Sequence, residues 1–201
     1  MRRIAGLCLM IGMGWMSMTS SAQQAAPPAG RVSPLEVSYS YDYARANAGP
    51  GQCGCFNMNG GSLEVAVHAY RGLSAVVDLG GEWVASMGAA TDVGLSLSTL
   101  TVGPRYSQHF AGRRFARYTP FVQGLVGGAR GFGSIFPGAG GVQGSATSLA
   151  VLTGGGLDVS LNRYLALRPI QADYLMTQMP NNANNQQNLL RLGAGIVLRA
   201  W

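Results

Sequence analysis

From Glu36 to the end of the chain, apolar and polar residues alternate with a period of two through eight successive segments. That period places neighbouring side chains on opposite faces of a strand. In the first segment Val37, Tyr39, Tyr41 and Tyr43 oppose Glu36, Ser38, Ser40 and Asp42. In the second, Leu63, Val65, Val67 and Ala69 oppose Glu64, Ala66, His68 and Tyr70. Ala75, Val77, Leu79 and Trp83 then oppose Asp78 and Glu82, and Leu100, Val102, Pro104 and Tyr106 oppose Thr101, Gly103, Arg105 and Ser107. The fifth segment, 117–130, carries Gln123, while Pro120 and Gly127-Gly128 obscure its faces. In the sixth, Leu149, Val151, Leu157 and Val159 oppose Ser148, Ala150, Gly156 and Asp158. The seventh, 164–177, keeps Arg168 on one face with Gln171, Asp173 and Thr177 only if a bulge near Pro169 shifts the parity. The eighth sets Leu190, Leu192, Ala194, Ile196 and Leu198 against Arg191, Gly193, Gly195, Val197 and Arg199.

The connections differ in length by turns. Tight turns are expected around Tyr70-Arg71-Gly72 and Leu161-Asn162-Arg163, with a somewhat longer one at 108–116. Long connections are expected at 45–61, 85–94, 131–146 and 178–188. This layout predicts an all-β chain: an eight-stranded antiparallel up-and-down transmembrane β-barrel with four long extracellular loops and short periplasmic turns.

Alternation does not say which face points outward; the charges do. Charged residues make up 11% of the chain, against roughly 25% in soluble domains. There is no Lys, and every acid except Asp92 falls inside a predicted strand. A secreted soluble barrel holding a small apolar ligand needs its charges outside. A membrane barrel puts them in the lumen, where acids and arginines can pair. Glu64, Asp78, Glu82, Arg105, Asp158, Arg168, Asp173 and Arg191 are therefore expected to form a polar network in the lumen. Aromatics at strand ends, among them Tyr43, Trp83, Tyr106, Tyr118, Tyr164 and Tyr174, suit girdles at the two membrane interfaces.

The N-terminus points to export. Arg2-Arg3, the apolar run Ile4 to Trp15 and the small-residue end Ser20-Ser21-Ala22 form a cleavable secretory signal over 1–22. A short mobile lead follows at 23–35, and the barrel domain occupies 36–201. Beyond the N-terminus no stretch of about 20 apolar residues exists to make a spanning helix. Arg113, Arg114 and Arg117 form the one basic cluster of the mature chain, without interleaved aromatics, so no nucleic-acid partner is expected.

Several stretches resemble the small outer-membrane β-barrel family related to the N-terminal transmembrane barrel of outer-membrane protein A. They are Asn59-Gly60-Gly61-Ser62, Val77-Asp78-Leu79-Gly80-Gly81, Val102-Gly103-Pro104-Arg105-Tyr106 and Thr119-Pro120-Phe121-Val122-Gln123. Gly154-Gly155-Gly156-Leu157-Asp158-Val159, Leu167-Arg168-Pro169-Ile170-Gln171-Ala172-Asp173-Tyr174 and Arg191-Leu192-Gly193-Ala194-Gly195-Ile196-Val197 complete the series, so the resemblance covers 36–201. It implies a barrel residing in outer-membrane lipid of a Gram-negative-type envelope and inserted by the barrel-assembly machinery.

Residues able to carry chemistry are few. Cys53-Gly-Cys55 lies in the first long connection, where a loop disulfide across one Gly, a redox-labile bond or a soft-metal site are the readings. The local staple is preferred, and no metal or cofactor is expected. His68 is expected to face inward as a hydrogen-bonded core residue, and His109 to sit solvated beside the basic turn. The Gly-rich pieces 124–132 and 137–144 open no helix after a strand, so they are not phosphate loops. A catalytic role is not expected. The sequence predicts a monomeric structural or surface-interaction protein whose function lies in its extracellular loops, with no partner identified. The alternative is a narrow porin-like channel, for which Gly103, Gly156, Gly193 and Gly195 would leave room in the lumen.

Overall fold

Regular alternation produces strands, and among the described residues no helix forms. A computed structural model describes residues 33–47, 55–85, 94–108, 110–111, 117–138, 141–181 and 185–200. The elements are β1 (Leu35–Asn47), β2 (Cys55–Tyr70), β3 (Leu73–Val84), β4 (Leu95–Ser107), the two-residue β5 (Phe110–Ala111), β6 (Arg117–Gly138), β7 (Gly141–Ser160), β8 (Leu165–Thr177) and β9 (Gln187–Ala200). Each long strand pairs antiparallel with its sequence neighbours. β1 also pairs with β9, and β4 with β6, so the sheet closes. The result is an eight-stranded antiparallel barrel, with β5 a stub against the foot of β6. Closure pairs every strand on both sides and removes the sheet edge.

The faces follow the alternation. On β1, Ser38, Ser40 and Asp42 are buried while Tyr39, Tyr41 and Tyr43 are exposed. The register shift at Pro169 is present: β9 loses step with β8 between Arg168 and Gln171, which keeps both side chains inside. β6 resolves as Phe121, Gln123 and Leu125 inward and Val122 and Val126 outward.

Two expectations change. Tyr70 points outward rather than with Glu64, because a bulge between His68 and Tyr70 inserts one residue into β2. The segment 131–146 is mostly not a loop. β6 continues to Gly138 and β7 starts at Gly141, so the two strands form a tall hairpin. Gly128, Gly131 and Gly133 hide its alternation, and a register shift between Phe132 and Phe136, with Gly133 at φ 74°, breaks the period. Strand structure likewise reaches into 45–61 from both sides, to Asn47 and from Cys55. At the opposite end the β2–β3 turn needs only Arg71 (φ 43°) and Gly72 (φ 86°), a two-residue hairpin turn with both centres in the left-handed region.

Candidate functional site: the barrel lumen

The inward faces of eight strands stack into layers along the barrel axis. At the end carrying the tight turns, Arg199 donates from Nε to Glu36 Oε1 at 2.7 Å and from a terminal nitrogen to Ser160 Oγ at 2.5 Å. His68 is half-buried there and lines a cavity of about 10 Å³ with Ser33, Glu36 and Ser107, room for about one water. Its Nδ1 makes no hydrogen bond, contrary to the expected hydrogen-bonded core histidine.

The next layer is built around Glu64. Its Oε2 accepts from Ser38 Oγ at 3.0 Å, from an Arg105 terminal nitrogen at 2.5 Å, and from Arg168. Its Oε1 accepts from Gln171 Nε2 at 2.9 Å and Gln123 Nε2 at 3.2 Å. Arg168 also grips Asp158 through two nitrogens, at 2.7 and 3.2 Å. Arg105 binds Gln123 Oε1 through Nε at 3.0 Å. The Phe121 ring lies under both guanidinium carbons, 4.3 Å from that of Arg105 and 4.5 Å from that of Arg168. A desolvated contact of this kind is worth about 2 kcal/mol. Replacing Phe121 by Leu, which keeps apolar bulk but loses the ring, is expected to lower stability by about 1–3 kcal/mol in detergent unfolding. An unchanged midpoint would remove the ring from the network.

Asp173 joins this layer to the one above. It accepts from Gln171 at 2.7 Å below and from Arg191 at 3.0 Å above. Arg191 also reaches Asp78 at 3.3 Å and Glu82 at 3.5 Å. This upper layer is richer in acid than base, since Asp42, Asp78, Glu82 and Asp173 surround Arg191. Asp78 Oδ1, Glu82 Oε2, the Thr99 and Thr101 hydroxyls and Arg191 Nε lack hydrogen-bond partners. All eight residues expected in the lumen network are thus buried and within two linked clusters. Gln123, Gln171, Ser38 and Asp42 belong with them. Gln171, Ser38 and Asp42 carry the inward parity, and Gln123 sits opposite Arg105 in the register.

Above the charges the interior becomes apolar on every strand. Ala44, Met58, Val84, Leu97, Leu125, Leu152, Leu175 and Leu189 continue the inward faces of β1, β2, β3, β4, β6, β7, β8 and β9 in turn, and all pack in one cluster. Met179 and Phe136 join it, the Phe136 ring lying over Gly131 and beside Met179. No apolar plug is expected from the sequence when the inversion of faces, polar or small inside and apolar outside, is held to run along whole strands.

The outer wall reverses in step. From Leu73 to Trp83 on β3, and from Tyr164 to Tyr174 beside β8, the outward residues are apolar or aromatic. At the upper border Tyr41 donates to Asn59 at 2.8 Å and Tyr174 to Asn188 at 2.7 Å. Beyond that border most exposed side chains are polar, among them Arg45, Asn47, Asn57, Ser96, Arg130, Gln143 and Thr147, with Phe132 an apolar exception at 37%. The barrel is therefore apolar outside and charged inside over its lower part, and polar outside and apolar inside over its upper part.

Little space is left in the lumen. A Cβ on Gly103 would lie 2.2 Å from the Gly124 carbonyl, on Gly193 2.3 Å from Asp42 Oδ1, on Gly195 2.1 Å from the Tyr39 carbonyl, and on Gly156 2.8 Å from the Phe121 ring. These glycines admit neighbouring strands and side chains. They do not open the room that a channel reading assigned to them. Among the described residues no group of three or more His, Cys, Asp or Glu converges as metal ligands. Cys55 is exposed at the start of β2, whereas Cys53, His109, Trp201 and the signal segment 1–22 lie outside the described residues.

No family model matches the chain, and no curated protein matches it. Among solved structures it is similar to neisserial surface protein A, with a TM-score of 0.63 and 15% identity over 84% of this chain and 98% of that one. Ail, the attachment invasion locus protein of Yersinia pestis, aligns at a TM-score of 0.48 with 15% identity, over 83% of this chain and 100% of that one. OprG from Pseudomonas aeruginosa aligns at 0.46 with 9% identity, over 85% and 98%. The closed antiparallel sheet, the layered lumen and the match to the neisserial barrel agree on one architecture: the chain has the fold of the small eight-stranded outer-membrane barrels.

Proposed function

We propose that this chain is an integral outer-membrane barrel with a closed lumen, whose role is structural or one of surface interaction rather than catalysis. The observation that carries the reading is the reversal of polarity along the axis. A strand crosses a bilayer in about 9–11 residues, the reach from Leu73 to Trp83. β6 and β7 run to 22 and 20 residues, and apart from Phe132 their excess presents mainly polar groups outward and apolar groups inward, as a strand does in water. The barrel then spans lipid with its lower part and raises its upper part above the membrane. Binding would reside there, on a rigid scaffold; the name of the neisserial protein also places that relative at a surface. Export by the 1–22 signal, insertion by the barrel-assembly machinery, residence in outer-membrane lipid as a monomer, and no cofactor or nucleic-acid partner belong to the same proposal.

Two clusters of charge and an apolar plug in series favour a closed lumen over a narrow porin-like channel. Fractionated cells are expected to hold the protein in the outer membrane as a heat-modifiable band, and purified protein in planar bilayers to give no conductance steps. Regular steps would overturn the closed lumen. A soluble product without heat-modifiability would overturn the membrane barrel and favour a secreted ligand-binding barrel.

A further inference from the structure

Among the described residues the tight turns present two exposed arginines, Arg71 and Arg163. In sequence the tight turns hold Arg71, Arg113, Arg114 and Arg163 with no acid, whereas the other end holds Arg45 and Arg130 together with Asp92. The two described turn arginines are built alike. The Arg71 guanidinium lies 5.1 Å from the centre of the Tyr70 ring, and that of Arg163 lies 4.6 Å from the centre of the Tyr164 ring. Arg163 also donates to the Tyr164 hydroxyl at 2.5 Å. Both tyrosines are exposed on the outer wall, at 62% and 49%, at the lower border of the apolar belt. Tyr70 reaches that wall only through the bulge after His68. Arg71 occupies a left-handed position (φ 43°) of a turn that Asn or Gly fills with less strain. The chain holds a guanidinium at the belt edge at a conformational cost.

We propose that Arg71 and Arg163, each stacked on its neighbouring tyrosine, bind the phosphate of anionic phospholipids in the leaflet at the turn end. An interfacial tyrosine ring sits at headgroup depth. A guanidinium held over it presents paired N–H donors at the level of the phosphate, and fixed positive charge favours anionic over zwitterionic lipid. The β2–β3 and β7–β8 turns lie on opposite sides of the barrel, so two such lipids fix its depth and tilt. The proposal rests on the membrane-barrel reading, and its test separates the two.

The full mature protein is refolded into vesicles of phosphatidylcholine alone and of an equal mixture with phosphatidylglycerol. Lipid retained after extraction in mild detergent is then quantified. A heat-modifiable band is expected in both vesicles, with retained phosphatidylglycerol enriched roughly fivefold per site at low salt. The enrichment is expected to disappear in the Arg71→Asn/Arg163→Gln variant, whose folded band persists because Asn suits the left-handed turn. Equal retention of the two lipids, or enrichment unchanged in the variant, overturns the proposal while leaving the barrel intact. Failure of the unaltered chain to fold in either vesicle overturns the membrane reading and this proposal with it.

Discussion

Replacing Glu64 by Gln is expected to lower unfolding free energy by about 3–5 kcal/mol, the cost of leaving buried charge without its partner. Glu64 is 2% exposed and accepts from Ser38, Arg105, Arg168, Gln123 and Gln171. The substitution preserves shape but leaves Arg105 without any carboxylate and Arg168 with only Asp158. Glu82→Gln is the contrasting case. Arg191 keeps Asp78 and Asp173 when Glu82 is neutralised, and that layer already has more acid than base. The loss there is expected to stay under about 1 kcal/mol. Urea unfolding in detergent, followed by the shift between folded and unfolded bands, measures both. Similar losses at the two positions would mean that the charge balance of the layers does not govern stability. Because buried ion pairs repay their desolvation only when complete, a Glu64→Leu/Arg105→Met pair should cost less than the sum of its single changes.

The second large effect is positional. Val65, Leu79 and Ile196 face outward within the apolar belt, and Arg at any of them is expected to cost about 2–4 kcal/mol at mid-belt depth and to reduce assembly. Asn57 and Thr147 also face outward, but above the aromatic border. Arg there is expected to change stability by less than about 0.5 kcal/mol. The same side chain on the same wall thus separates lipid from water by height alone. Normal assembly and stability of all three belt variants would show that the outer face does not meet lipid.

Most of the wall was legible in the sequence, because a period of two is a local property that sheet closure leaves intact. The parity shift at Pro169 could be read because Arg168 and Asp173 otherwise land on opposite faces. The bulge after His68 carried no such signal, since both a tyrosine and a histidine are tolerated on either face at the rim. The tall β6–β7 hairpin was hidden for a different reason: Gly-rich, uncharged sequence reads as loop, and its strand structure comes from cross-strand pairing of Phe132 with Ser145 and Phe136 with Gln143. The lumen charges could be assigned to one compartment, but not to layers. Which acid meets which arginine depends on register between strands far apart in sequence, as for Arg168 and Glu64. The apolar plug was missed because the inversion of faces was taken to hold along whole strands. The inward positions Leu97, Leu125, Leu152 and Leu175 mark the height at which it stops holding.

The reversal of polarity along the axis is tested most directly by labelling single cysteines in intact cells with a membrane-impermeant maleimide, after Cys53 and Cys55 are replaced by Ser. Asn57→Cys and Thr147→Cys are predicted to label, and Leu79→Cys and Ile196→Cys to remain unlabelled until the barrel is denatured. Equal labelling at all four positions would contradict the account, since the belt would then lie in water.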